Sequence, residues 1–141
     1  MSAVAVGLGA AEFGLPLERV RAVLRPPPVT RTPFPPPDVV GVAHLRGALL
    51  AVLDLGTRLR AAPAARPGRM VVVSPGGGRE PVALLVDRVA GIVETDDAVE
   101  APPPEAAAAL PEGWLDGVVR SAEGRLVALL HLDNVLAGEN A

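Results

Sequence analysis

The stretch Gly41-Val-Ala-His-Leu-Arg-Gly47 runs directly into Ala48-Leu-Leu-Ala-Val-Leu-Asp-Leu55. It predicts one strand, a turn closed by Gly47, and a second, almost wholly apolar strand that ends at Asp54. A cousin returns as Gly117-Val-Val-Arg120, a Ser-Ala-Glu-Gly124 turn, and Arg125-Leu-Val-Ala-Leu-Leu-His-Leu132. Arg46 is out of place between apolar strands. Its guanidinium stays charged at any ordinary pH, so it must reach water or meet a partner. An arginine on a stiff hairpin, in a chain otherwise bare of reactive groups, points to protein binding rather than catalysis.

The remaining apolar segments are short, rich in Val and Leu, and separated by Gly or Pro: Val4–Leu8, Met70–Val73, Val82–Val86, Val89–Val93 and Leu126–Leu130. Lengths of about 4–8 residues with turn punctuation favour strands over helices. Gly76-Gly-Gly78 predicts a hairpin loop between Val71–Val73 and Val82–Val86. Leu17–Leu24 reads as a short helical turn feeding a strand. Asp54–Leu59 and Asp133–Leu136 read as single helical turns after strands, each with an aspartate suited to capping. Asp87 is a turn or cap residue of the same kind, as is the Asp96-Asp97 pair. The expected class is all-β with little helix.

The pattern also repeats. Leu17-Glu-Arg-Val-Arg-Ala-Val23 matches Val86-Asp-Arg-Val-Ala-Gly-Ile92, and the Gly41 hairpin matches the Gly117 hairpin in the same order. Two ordered matches imply a duplicated unit of four or five strands, hence two small barrels. The expected units are 1–68 and 69–141, with exchange of strands between them left open. Three proline runs, Pro26–Pro28, Pro33–Pro37 (interrupted by Phe34) and Pro102–Pro104, read as stiff connectors in preference to ligands for a proline-reading domain.

With 141 residues, half of them apolar, the chain is large enough to bury a core and is not generally disordered. No apolar run approaches the roughly 20 residues that span a bilayer. The start Met1-Ser-Ala-Val-Ala-Val lacks the basic opening of a secretion signal, and there are no cysteines, so a cytoplasmic location without membrane insertion is expected. The cations are 13 arginines and no lysine. Residues 1–69 hold nine arginines against four acids, and residues 70–141 hold four against twelve. This asymmetry suits head-to-tail contacts or two different partners, or is plain solvated surface charge.

Catalytic, metal and cofactor sites are not expected. His44 and His131 have no partner at metal-ligand spacing, and there is no Cys-His or Gly-x-Ser-x-Gly constellation. Gly76–Gly78 has no Lys-Ser/Thr after it and is no phosphate cradle. A nucleic-acid-binding barrel stays open as a minor alternative, although Phe13, Phe34 and Trp114 are the only aromatic residues available for base stacking.

Phe13-Gly-Leu-Pro-Leu-Glu-Arg-Val-Arg-Ala-Val-Leu24, Gly41-Val-Ala-His-Leu-Arg-Gly47 with Val52-Leu-Asp-Leu55, Val82-Ala-Leu-Leu-Val-Asp-Arg-Val-Ala-Gly-Ile-Val93, Leu115-Asp-Gly-Val-Val and Leu129-Leu-His-Leu-Asp133 together resemble the CheW-like chemotaxis coupling family. The resemblance spans roughly residues 4–136, with motif order kept. It implies a single CheW-like domain over 1–141, built as two SH3-like five-stranded β-barrels, with no enzymatic activity and no cofactor. It implies an adaptor, recruited to membrane-bound arrays, joining the cytoplasmic tip of methyl-accepting chemoreceptors to the regulatory domain of a CheA-type histidine kinase. The receptor groove carries over onto Val20, Gly41 and Arg46, with Val42 and Leu45 beside them; Gly47, Asp54, Asp87, Gly117 and Gly124 remain the structural turns and caps read from the residues themselves. Kinase contacts at the barrel ends match no motif here. His44 departs from the asparagine usual before Leu-Arg-Gly. A detached kinase regulatory module, or a coupler for an array with a non-chemotactic output, would look much the same.

Overall fold

The computed structural model describes residues 2–33, 35, 38–59, 68–95 and 99–137, with the backbone alone at 106 and 107. Phe34, Pro36, Pro37 and Asp96-Asp97 lie outside the described residues. The described chain folds into β1 (Ser2–Leu8), β2 (Ala11–Pro16), a 3-10 turn (Leu17–Arg19), β3 (Val20–Leu24), β4 (Val39–Leu45), β5 (Ala48–Asp54), α1 (Leu55–Arg58), β6 (Arg69–Val73), β7 (Val82–Val86), β8 (Arg88–Glu94), α2 (Pro104–Ala109), β9 (Leu115–Arg120), β10 (Leu126–Leu130) and α3 (Leu132–Ala137).

Two five-stranded sheets result, ordered β8-β1-β2-β10-β9 and β3-β6-β7-β5-β4. Each contains one parallel pair, β2 with β10 and β5 with β7; its other neighbours are antiparallel. Position for position, β3, β4 and β5 answer to β8, β9 and β10, while β6 and β7 answer to β1 and β2. The two units are therefore circular permutations of one another. The division expected near residue 68 does not follow the sheets: one unit is continuous from β3 to β7, and the other combines β8–β10 with the first two strands of the chain. The physical reason is that strands pair by register and burial, not by chain order.

Each sheet closes the same way. The chain leaving β3 forms a bridge from Thr30 to Val42 on β4, and the chain leaving β8 forms one from Glu100 to Val118 on β9. Glycine makes both approaches possible. A Cβ on Gly41 would stand 2.1 Å from the Thr30 carbonyl oxygen, and one on Gly117 would stand 2.7 Å from that of Glu100.

Alternation along the strands sorts the core into layers. Val4, Val6 and Leu8 of β1, Val71 and Val73 of β6, and Leu84 and Val86 of β7 meet between the sheets, together with Leu15, Leu55, Trp114, Leu130 and Val135. Their neighbours turn inward: Met70, Val72, Ala83 and Leu85 with Ala43, Leu50 and Val52 in one unit, and Ala3 and Ala5 with Val93, Val119 and Val127 in the other. Strands buried on both faces need apolar residues at every position, which is why these segments read as unbroken runs.

Two elements were not foreseen. β2 contains Glu12, Gly14 and Pro16, which break any strand pattern; the β1–β2 pairing and a short parallel pairing with β10 hold it in place. α2 follows the third proline run, with Pro104 at its first position, where the missing N–H costs nothing.

Candidate docking surface

The β4–β5 hairpin pairs Leu45 with Ala48, leaving Arg46 and Gly47 as a two-residue turn. Both have positive φ, 52° and 81°, as a primed hairpin turn requires. Arg46 is the one non-glycine residue with positive φ among the described residues. A left-handed conformation costs an ordinary side chain on the order of 1–2 kcal/mol, which the strand pairing on either side must sustain. The side chain is exposed and has no hydrogen-bond or ion-pair partner among the described residues.

Two aspartates that cap or turn neighbouring strands, Asp54 and Asp87, are engaged away from Arg46. Asp54 is the N-cap of α1 and accepts the Thr57 N–H at 3.1 Å. Asp87 accepts the Gly9 N–H at 2.7 Å, tying the β7–β8 junction to the β1–β2 turn.

The other expected groove residues do not share one exposed face. Val42 lies beside exposed His44 on the outward side of β4 and is tied to Thr30 by two 2.8 Å backbone hydrogen bonds. Leu45 packs against the core of its own unit, and Gly41 is buried under Thr30. Val20 stands on β3, at the opposite end of the strand order from β4, half-buried against the core between the sheets. Among the turn residues, Gly47 and Gly124 close the two equivalent hairpins with positive φ, and Gly117 lets Glu100 approach.

One cap differs from expectation. His131, not Asp133, caps α3: its Nδ1 accepts the Asn134 N–H at 3.3 Å. His131 thus stands where Asp54 stands in the other unit, each accepting an N–H three residues on. Asp133 instead reaches the other unit. Its Oδ1 accepts from Gly76 N–H at 2.8 Å and from Arg19 at 3.0 Å, and its Oδ2 accepts from Arg19 at 3.1 Å. The Gly76 N–H first, and then Arg19, hold its carboxyl below the ordinary aspartate value.

Arg58 was not anticipated at all. It is buried on α1, donates to Asp38 at 2.7 Å and to the carbonyls of Val135 and Leu136 at 2.8 and 3.1 Å, and lies 5.6 Å from the Trp114 ring centroid. It thus satisfies last-turn carbonyls of α3 and joins the two units. The available signal was its place between Leu55 and Leu59, on the stripe that α1 buries.

Among the described residues, no three or more His, Asp or Glu side chains are grouped to hold a metal ion, and no helix is long and apolar enough to cross a membrane.

Residues 2–140 match the CheW-like domain family. The chain is 33% identical over 136 residues to the chemotaxis protein CheW of Rhizobium meliloti, covering 96% of this chain and 87% of that protein. It is 32% identical over 130 residues to the probable chemotaxis protein CheW of Rhizobium etli, covering 92% and 83%. Its fold is similar to that of the scaffolding protein TtCheW from Thermoanaerobacter tengcongensis, with TM-score 0.82, 22% identity and coverage of 96% of this chain and 92% of that one. Two closed five-stranded units with the hairpin Gly41–Leu55 in one of them are the fold of that family, and by the family match over nearly its whole length this chain belongs to the CheW-like domain family.

Proposed function

We propose that this chain is a non-catalytic adaptor that couples the cytoplasmic tip of a methyl-accepting chemoreceptor to the regulatory domain of a CheA-type histidine kinase. Family membership supports the coupling role. The observation that carries the docking assignment is Arg46: exposed, without a partner among the described residues, and held in a costly backbone conformation at a rigid turn. Arginine is among the residue types that most often dominate binding at protein interfaces, where its planar fork meets carboxylates and carbonyls. Val42 and His44 extend the outward surface along β4, and Val20 contributes from β3. Gly41 and Leu45 shape this surface from beneath.

The nucleic-acid alternative is less well supported. Trp114 is buried in the core between the sheets and Phe13 packs partly against it, which leaves little aromatic surface among the described residues for base stacking. An adaptor of this kind would act at the membrane through its receptor partner, without inserting itself.

The test is reconstitution. The purified chain, a receptor signalling fragment and a kinase regulatory domain should co-elute as a ternary complex. Arg46→Ala should weaken receptor binding while keeping the kinase domain. A wild-type chain that binds neither partner would overturn the assignment.

A further inference from the structure

Gly76 poses a question that its backbone does not answer. Gly77 and Gly78 have φ of 73° and 72°, which explains glycine there, but Gly76 has no positive φ. What a side chain at 76 would displace is the carboxylate that the other unit seats there: a Cβ would lie 2.8 Å from Asp133 Oδ2, with the Arg19 guanidinium at 3.3 Å. The β6–β7 loop, the 3-10 turn and the start of α3 thus converge on one carboxylate.

The convergence is specific. Arg19 meets Asp133 with both terminal nitrogens, the fork-on-carboxylate arrangement that fixes orientation as well as distance. The same guanidinium donates to the Ser74 carbonyl at 3.1 Å, while the Arg19 carbonyl accepts the Ser74 N–H at 2.8 Å. Arg79 lies 3.8 Å from Asp133 Oδ1. Arg19 is thereby held to its own unit through Ser74, by backbone and guanidinium, and to the other unit by the fork on Asp133. The next residue is Val20, where β3 begins.

Resting on the docking assignment above, we propose that Asp133 is a positioning residue for receptor binding: acting from the opposite unit through Arg19 and Gly76, it fixes the start of β3 and with it the half-buried Val20 that the receptor meets. The core between the sheets holds the two units together without this contact. Its loss therefore loosens β3 locally and leaves the fold intact.

Two substitutions test this without relying on each other. Asp133→Asn removes the charge, whereas Gly76→Ala keeps every charge and pushes the carboxylate off its seat. In the isolated full-length chain, both should speed amide hydrogen exchange at Val20 and Arg21 by at least about tenfold, with β4, β9 and β10 unchanged. Both should also weaken binding to a receptor signalling fragment by about tenfold and leave kinase-domain binding as it is. Adding Arg19→Gln to Asp133→Asn should change little more, because residues acting through one contact are not additive. Unchanged exchange at Val20 in both variants overturns the proposal whatever the receptor does. So does weaker binding with unchanged exchange, which would make Asp133 a direct contact, or full additivity of Arg19→Gln. A wild-type chain that ignores the receptor would instead sink the docking assignment, a result the exchange measurement does not depend on.

Discussion

Arg58 and Asp38 meet at 2.7 Å with side chains only 4% and 12% exposed, and this pair stands where the two units join. Asp38 precedes β4, and Arg58 reaches on to the last carbonyls of α3. Charges are rarely buried unless paired, and removing one partner leaves the other desolvated without compensation. Asp38→Ala should cost about 3 kcal/mol, the lower end for a broken buried pair, since Arg58 keeps its carbonyl acceptors. Urea unfolding measures it. Replacing both residues with apolar ones, Arg58→Met with Asp38→Leu, should recover only part of the loss, because the Val135 and Leu136 carbonyls then lose their donor, and a double variant as stable as wild type would show that those two hydrogen bonds contribute little.

Gly41 and Gly117 occupy equivalent places under the two closing bridges, and alanine should not be tolerated equally at them. The added Cβ meets backbone at 2.1 Å in one case; in the other its nearest neighbour, at 2.6 Å, is the movable Val99 side chain, with the Glu100 carbonyl at 2.7 Å. Overpacking typically costs about 1–3 kcal/mol, more where the neighbour cannot move. Gly41→Ala should therefore exceed Gly117→Ala in destabilisation, and should also release the Thr30–Val42 bridge, visible as faster exchange of the Thr30 and Val42 amides. Equal melting temperatures for the two variants would refute the comparison.

Asp133 gives a signed pH dependence. Its carboxyl is held below its ordinary value of 3.8, chiefly by the Gly76 N–H and then by Arg19, with Arg79 adding a weaker attraction. A depressed folded-state pKa contributes stability that is fully present above the unfolded value and is lost as pH falls through the folded one. Wild type and Asp133→Asn should therefore differ in stability by a constant amount at neutral pH and converge only below the ordinary aspartate range. A difference that grows on acidification would show the sign to be wrong. Because the pair is partly exposed, added salt should also shrink the difference at neutral pH.

How much of this was legible depended on whether the physics was local. Val71–Val73 and Val82–Val86 announce themselves because strands buried on both faces have no polar position. The duplication was legible because equivalent hairpins need glycine at equivalent turns, Gly47 and Gly124. Exchange of strands between the units was allowed for, but which strands are shared was not legible, since the pairing of β2 with β10 joins residues more than a hundred positions apart by a register that no local pattern records. Arg46 was conspicuous as a charge between apolar strands, whereas Arg58 looked like any arginine ending a helical turn. Gly76 was hidden inside a glycine run whose other members have an ordinary turn explanation, and Asp133 looked like a cap because its distant partners are invisible in sequence.

Arg46 permits the clearest separation of binding from folding. Its guanidinium has no partner among the described residues, so Arg46→Ala removes no hydrogen bond or ion pair there. The substitution should leave folding stability within about 1 kcal/mol, since surface changes away from special features are small and the strained φ of 52° is common to both residues. Binding to a receptor signalling fragment with kinase domain present should weaken by about 2 kcal/mol, the threshold of a hot spot and roughly thirtyfold in affinity. Arg46→Asn sharpens the contrast. Asparagine tolerates the left-handed conformation better, so this variant should melt no lower than wild type while losing the same binding. Receptor affinity preserved in Arg46→Asn would mean that the turn, not the guanidinium, is what the receptor recognises. Receptor affinity lost only in proportion to unfolded protein would make Arg46 a residue of the hairpin and not of the interface.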